Sequence, residues 1–103
     1  PLQVIEKLFR KFVDTSLESL AQMKTAVESN DLQTIQERAH AIRGIALSLQ
    51  LNEISELCDT LEYGAKDKET IDYHSLVDQL SDRLMALQNH CEAIIRQLHT
   101  HAS

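Results

Sequence analysis

Residues that bend or interrupt a chain are scarce in this sequence of 103 residues, which contains two glycines and one proline. Tryptophan is absent, and phenylalanine and tyrosine occur only twice each. The near-absence of turn residues leaves few places for loops, and the composition gives no sign of a disordered tail. The sequence is therefore built almost entirely from regular segments.

Three further absences narrow the possible functions. The formal net charge is -6, and no basic patch is present, which argues against nucleic acid as a partner. No apolar run is long enough to cross a bilayer, so we expect no membrane contact by this domain. Cys58 and Cys91 lack CxxC spacing, which predicts reduced thiols and a cytoplasmic location.

Helical periodicity covers nearly all of the chain. Apolar residues recur at alternating spacings of three and four over residues 2–28, 31–49, 51–66 and 71–99. No segment shows the alternation of a strand. Four amphipathic helices with short connections predict an all-α, antiparallel four-helix bundle, in a single domain over residues 1–103.

The junction between the second and third segments is weakly marked. Residues 48–52 contain neither glycine nor proline, so periodicity alone permits one helix from Asp31 to Lys66. An unbroken helix of that length is improbable in a small domain, and we place a break near Gln50.

His40, Arg43 and Gly44 form an unusual group on the second helix. Its apolar seam centres near Ile42 and Ala46, and His40 points roughly 140° away from that centre, towards solvent. Gly44 follows one turn later on the same side, although glycine inside a helix costs about 1 kcal/mol relative to alanine. Arg43 lies between His40 and the seam, where its guanidinium can reach a phosphoryl group on the imidazole.

Two ordinary explanations compete with a functional one. An exposed helical histidine is usually a solvated polar residue, and Gly44 could allow close packing against a neighbouring element. Against these, an imidazole is partly neutral near pH 7 and can act as a nucleophile without a dedicated base.

The wider sequence resembles the histidine phosphotransfer (HPt) domain family. Residues 39–49 are similar to the signature around the family's phosphorylated histidine, and residues 57–62 to its third helix. Upstream positions that the family keeps apolar, small or aspartate are also matched, by Phe12, Met23, Ala26 and Asp31.

The resemblance implies a site and a reaction. His40 would accept a phosphoryl group from a receiver-domain aspartate and pass it to the aspartate of a response regulator. Arg43 takes the family's basic position, which would stabilise the phosphoryl group, and Gly44 takes the position of the glycine that clears the approach. Glu62 falls at a third-helix position near the histidine. We expect Gly44 and Glu62 to contribute to partner docking.

Two residues depart from the family pattern. Gln50 stands where the family usually has glycine, at the break between the second and third helices. Leu47 replaces a commonly small residue and, with Gln36 on the same flank, would form part of the docking surface for a partner.

The resemblance also sets expectations for partners and context. We expect a monomer that needs no cofactor of its own, since magnesium is supplied by the partner receiver domain. The chain begins within a helical pattern at Pro1. We therefore expect it to be the C-terminal part of a longer protein, a bacterial hybrid sensor histidine kinase that could be anchored in the inner membrane.

Other functions fit the sequence less well. No glycine-rich phosphate loop is present, which excludes an autonomous ATP-dependent kinase. Four residues could suggest a metal site: His90, Cys91, His99 and His101. Their spacing does not provide four ligands from any one segment, so no metal site is expected. A helical module that only binds another protein remains the alternative function.

Overall fold

The computed structural model describes the backbone of residues 2–102 and the side chains of residues 3–97, 99 and 100. It contains four α-helices: α1 (Leu2–Glu28), α2 (Leu32–Ser48), α3 (Asn52–Lys66) and α4 (Tyr73–Ala102). Each helix packs against the next, and α4 returns to pack against α1. The predicted all-α four-helix bundle is confirmed.

The core runs along the centre of this bundle. All four helices contribute aliphatic side chains that are almost completely buried, and the only aromatic among them is Phe12. The largest fully buried side chains are Met23, Ile35, Ile42, Leu61, Leu80 and Leu84. Within the described part of the chain, no helix combines the length and hydropathy needed to cross a membrane.

The first and last helices extend beyond the other two. The beginning of α1 pairs with the end of α4, where Arg10 forms an ion pair with Glu92 and His99 contacts Glu6. Apolar residues in this region, such as Ile5 and Leu8, are exposed because α2 and α3 are too short to cover them. The central part of the bundle, with all four helices, is the part that presents His40.

Aspartates precede and cap α2 and α4, which begin at Leu32 and Tyr73, within two residues of the predicted starts at residues 31 and 71. Asp31 precedes α2 and accepts hydrogen bonds from the backbone N–H and the hydroxyl of Thr34, and these bonds lower the pKa of Asp31. Asp72 precedes α4 and accepts a bond of 3.0 Å from the backbone N–H of Ser75. Each aspartate is therefore a cap rather than the first helical residue.

Three helices end in the same way, each without glycine. Asn30, Gln50 and Lys68 adopt φ values of 56°, 58° and 54°, and each lies two residues after the end of its helix. In the second of these turns, the N–H of Leu51 donates to the carbonyl of Ala46 at 2.9 Å. This hydrogen bond closes a turn of six residues, one of which has the left-handed backbone conformation, and such a turn is a Schellman motif. The predicted break near Gln50 is therefore present.

Gln50 adopts the backbone conformation that glycine would adopt with less strain. The left-handed region costs a residue with a side chain about 1–2 kcal/mol, part of which glycine recovers as greater freedom in the unfolded chain. The turn between α2 and α3 therefore forms with Gln50 in place of the family's usual glycine, and the replacement affects the stability of that turn.

We expect Gln50→Gly to raise the free energy of unfolding by about 0.5–1 kcal/mol, because glycine relieves the strain at positive φ. Urea denaturation followed by circular dichroism measures this change. Gln22→Gly, at an exposed position within α1, is the matched control and should lower stability by about 1 kcal/mol. Destabilisation by Gln50→Gly would show that the glutamine side chain contributes more than the backbone strain costs.

Candidate functional site

His40 lies in the middle of α2 and points away from the core. Its helix buries Ile35, Ala39, Ile42 and Ala46 against the bundle, whereas the His40 side chain is 67% exposed. The rotation of α2 follows from these buried residues, which leave the opposite face to solvent. An imidazole at this point can be reached by another protein.

Glu62 on α3 contacts one of the two ring nitrogens of His40. The Nδ1 atom of His40 lies 2.9 Å from Glu62 Oε2, and Glu62 itself is only 7% exposed. Because a carboxylate oxygen accepts hydrogen bonds, this contact fits the ring tautomer in which Nδ1 carries the proton. The other nitrogen, Nε2, has no hydrogen-bond partner among the described residues.

Arg43 contacts the same carboxylate from the other side. Its Nε atom lies 2.9 Å from Glu62 Oε1, although the two atoms do not align as a linear hydrogen bond. Its Nη1 atom lies 3.3 Å from Asp59 Oδ1, and the guanidinium sits 5.5 Å from the centre of the Tyr63 ring. Arg43 thus joins α2 to α3 through three side chains.

The charge of Arg43 is secured by these neighbours. Partial burial of its side chain disfavours the charged form, but Glu62, Tyr63 and Asp59 outweigh this effect and raise the pKa of Arg43 above its ordinary value. The guanidinium therefore remains cationic beside Glu62 at every physiological pH.

Gly44 leaves an open surface one turn after His40. A Cβ atom built on Gly44 meets no heavy atom within 4 Å, so close packing against a neighbouring element does not explain this glycine. Beyond it, Leu47 is 55% exposed and Ile45 is also exposed, whereas Gln36, one turn before His40, is half-buried. The exposed surface of α2 near His40 therefore includes an apolar side chain, Leu47, as well as the open space at Gly44.

Cys58 lies buried on the core side of α3, close to Arg43 and Glu62. Burial raises the pKa of its thiol to about 12, and Arg43 only partly offsets this shift. The thiol is therefore uncharged, and it is inert packing rather than a nucleophile.

Asp59 and Tyr63 both contact Arg43, although neither is among the site residues predicted from the sequence. Their spacing is a weak signal: Asp59 lies three residues before Glu62 and four before Tyr63, and residues three or four apart share a helix face. That signal becomes useful only once the face of α3 that meets α2 is known.

The other histidines that the structure describes lack such surroundings. His74 contacts Asp78 on its own helix at 3.3 Å, and His99 contacts Glu6 at 3.1 Å; both rings are more than half exposed. Among the described residues, no group of three histidine, cysteine or acidic side chains could hold a metal ion. The side chain of His101 lies outside the described residues.

A match to a known family covers most of the chain. The family model for the Hpt domain matches residues 7–96. The chain belongs to the Hpt domain family. An Hpt domain performs histidine phosphotransfer in a phosphorelay, with receiver domains as its general class of partner. Neither a curated protein nor a solved structure gives a significant match.

We expect Arg43→Ala to lower the free energy of unfolding of this Hpt domain by about 1–3 kcal/mol, because Glu62 Oε1 would remain buried without a charge partner. Arg83→Ala is the matched control, since Arg83 pairs with Glu53 where both side chains are exposed; its loss should be below about 1 kcal/mol. Urea denaturation of both variants measures the difference. Equal losses would show that the Arg43–Glu62 contact contributes no more than a surface ion pair.

Proposed function

We propose that His40 is the phosphoacceptor of this Hpt domain. It receives a phosphoryl group from the aspartate of one receiver domain and passes it to the aspartate of another. The observation that carries this proposal is the combination of an exposed ring, an Nδ1 atom bound to Glu62 and an Nε2 atom without a partner. His74 also has an exposed ring with Nδ1 beside a carboxylate, but that carboxylate, Asp78, is exposed and lies on the same helix, whereas Glu62 is buried and lies on a neighbouring helix.

The chemical step requires little from the domain beyond placement. The Nε2 lone pair attacks the phosphorus atom of the aspartyl phosphate, and the bond from phosphorus to the carboxylate oxygen breaks. The aspartate leaves as a carboxylate and takes the bonding pair with it. Rate enhancement comes from positioning and charge neutralisation, so the domain uses no cofactor of its own, and the partner receiver supplies magnesium.

Arg43 contributes positive charge close to the incoming phosphoryl group. Its planar guanidinium has several donors, so Nε can stay beside Glu62 while Nη1 exchanges the exposed Asp59 for a phosphoryl oxygen. This exchange supports the role of Arg43 in phosphoryl stabilisation that the sequence predicts.

The surface around His40 is the proposed docking surface for receiver domains. Gly44 leaves space for close approach, Leu47 offers an exposed apolar side chain, and Gln36 lies one turn before His40 on the same helix. Glu62 supports this surface from below rather than forming part of it, because it is buried.

The site draws all its parts from one chain. His40, Arg43 and Glu62 lie on α2 and α3 of the same bundle, which supports a domain that acts as a monomer. Free thiols at Cys58 and Cys91 support a reducing, cytoplasmic location.

We expect His40→Gln to abolish phosphorylation, because glutamine provides no imidazole nucleophile. Radiolabelled, phosphorylated receiver domains are mixed with the Hpt domain, and label on the Hpt domain is measured on gels. The matched control His74→Gln removes another exposed histidine and should be labelled like the wild type. Labelling that persists in His40→Gln would overturn the assignment of the phosphoacceptor, and wild-type binding to receivers without any labelling would favour a module that only binds.

We expect Gly44→Leu to reduce the rate of transfer from a receiver at least tenfold, because a branched side chain would fill the approach to His40. Circular dichroism should show unchanged helicity, since the added Cβ meets no neighbouring atom. Ala21→Leu, at an exposed position on α1, is the control for adding a leucine to the helix surface. A normal transfer rate in Gly44→Leu would contradict close approach at this position.

A further inference from the structure

The guanidinium of Arg43 is shared between two carboxylates of α3. Its Nε atom lies 2.9 Å from Glu62 Oε1, and its Nη1 atom lies 3.3 Å from Asp59 Oδ1. One positive charge therefore faces two negative charges before any phosphoryl group reaches His40. A phosphoryl group adds about two further negative charges at pH 7, so it has to compete with these carboxylates for the same cation.

The two carboxylates differ in how firmly they can hold Arg43. The side chain of Glu62 is 9% exposed, whereas that of Asp59 is 54% exposed. Arg43 and Asp59 also line an open groove of about 320 Å³ between α2 and α3, so water and a partner can reach their ion pair. Exposed ion pairs are weak, and the contact with Asp59 is therefore the one that a phosphoryl group can replace.

We propose that Asp59 is a positioning residue that occupies Arg43 in the unphosphorylated domain and competes for it with the phosphoryl group of phosphorylated His40. The inference rests on the proposed role of His40 as phosphoacceptor and adds a control on that reaction. Asp59 forms no bond to phosphorus and exchanges no proton. It acts through Arg43, and it limits how much of the phosphoryl group the domain retains at equilibrium.

Competition of this kind opposes phosphorylation in two ways. The contact between Arg43 Nη1 and Asp59 Oδ1 has to break, and the released carboxylate then stays close to a phosphoryl group that is also negative. Both effects favour return of the phosphoryl group to an aspartate of a receiver domain. Asp59 therefore favours release of the phosphoryl group over its storage on His40.

The other neighbours of Arg43 do not compete in this way. Glu62 is buried, and its contact with Nε can persist while Nη1 turns to the phosphoryl group. The ring of Tyr63 lies 5.5 Å from the guanidinium, where an aromatic face attracts the cation without neutralising it. Glu56 lines the same groove as Asp59, but among the described residues it forms no ion pair with Arg43.

The test compares the wild type with Asp59→Asn, which keeps the size of the side chain and removes its charge. Both proteins share one solution of phosphoramidate and ammonium chloride. Phosphoramidate transfers its phosphoryl group to a histidine nitrogen and releases ammonia, and the reverse reaction returns it. Nitrogen-15 labelling of the wild type separates the two proteins by mass, so the ratio of phosphorylated to unphosphorylated protein is measured for each.

Three further variants serve as references. Glu56→Gln is the matched control, because it removes a carboxylate from the same helix and the same groove without touching the ion pair of Arg43. Asp59→Glu retains the negative charge. His40→Gln reports the signal from the other histidines, which is subtracted from every measurement.

We expect the phosphorylated-to-unphosphorylated ratio to be about fivefold higher in Asp59→Asn, the upper end of what an exposed ion pair contributes. The difference should fall below about twofold in about 1 M sodium chloride, which screens charges over about 3 Å. Glu56→Gln and Asp59→Glu should stay close to the wild-type ratio. In the Arg43→Ala background, Asp59→Asn should change the ratio by less than about twofold, because the cation through which it acts is gone.

Equal ratios for the wild type and Asp59→Asn at low salt would overturn the inference. An increase that persists at high salt, or that is undiminished in Arg43→Ala, would also overturn it, because Asp59 would then act by another route. The salt series needs no variant of Arg43 and decides the question even where Arg43→Ala does not fold. A wild type that is phosphorylated no more than His40→Gln would instead refute the role of His40, so the two failures are distinguishable.

Discussion

A single buried carboxylate organises the surface around His40 in this Hpt domain. Glu62 has little contact with water, and the groups beside its two oxygens come from α2: His40 Nδ1 lies beside Oε2, and the Arg43 guanidinium lies beside Oε1. These contacts fix the orientation of the His40 ring and the path of the Arg43 side chain at once. Loss of either partner would leave charge or hydrogen-bonding capacity unmatched in the interior.

The architecture of the bundle supports this arrangement. Three residues separate α2 from α3, and the turn is closed by a hydrogen bond from Leu51 to Ala46. So short a connection keeps the two helices antiparallel and adjacent, and Glu62 is thereby brought beneath His40. The buried seam of α2, including Ile42 and Ala46, fixes the rotation of that helix.

The sequence is sufficient to predict the helices and the exposure of His40, because both follow from apolar spacing. It also places Arg43 and Gly44 near the histidine, since residues three and four apart share a helix face. The contacts of Glu62 could not be predicted in the same way. They depend on the rotation of α3 against α2, which packing of residues such as Cys58 and Leu61 determines. The left-handed conformation of Gln50 is equally hidden, because glutamine carries no local signal for positive φ.

The hydrogen bond from Nδ1 to Glu62 also has a consequence for the identity of the phosphorylated product. A phosphohistidine exists as two positional isomers, one for each ring nitrogen, and they differ in stability and in the reagents that recognise them. In this domain a half-turn of the imidazole would break the contact between Nδ1 and the carboxylate of Glu62, which is only 7% exposed. With His40 as the proposed phosphoacceptor, the fold would favour one regioisomer, in which the phosphoryl group points away from the bundle.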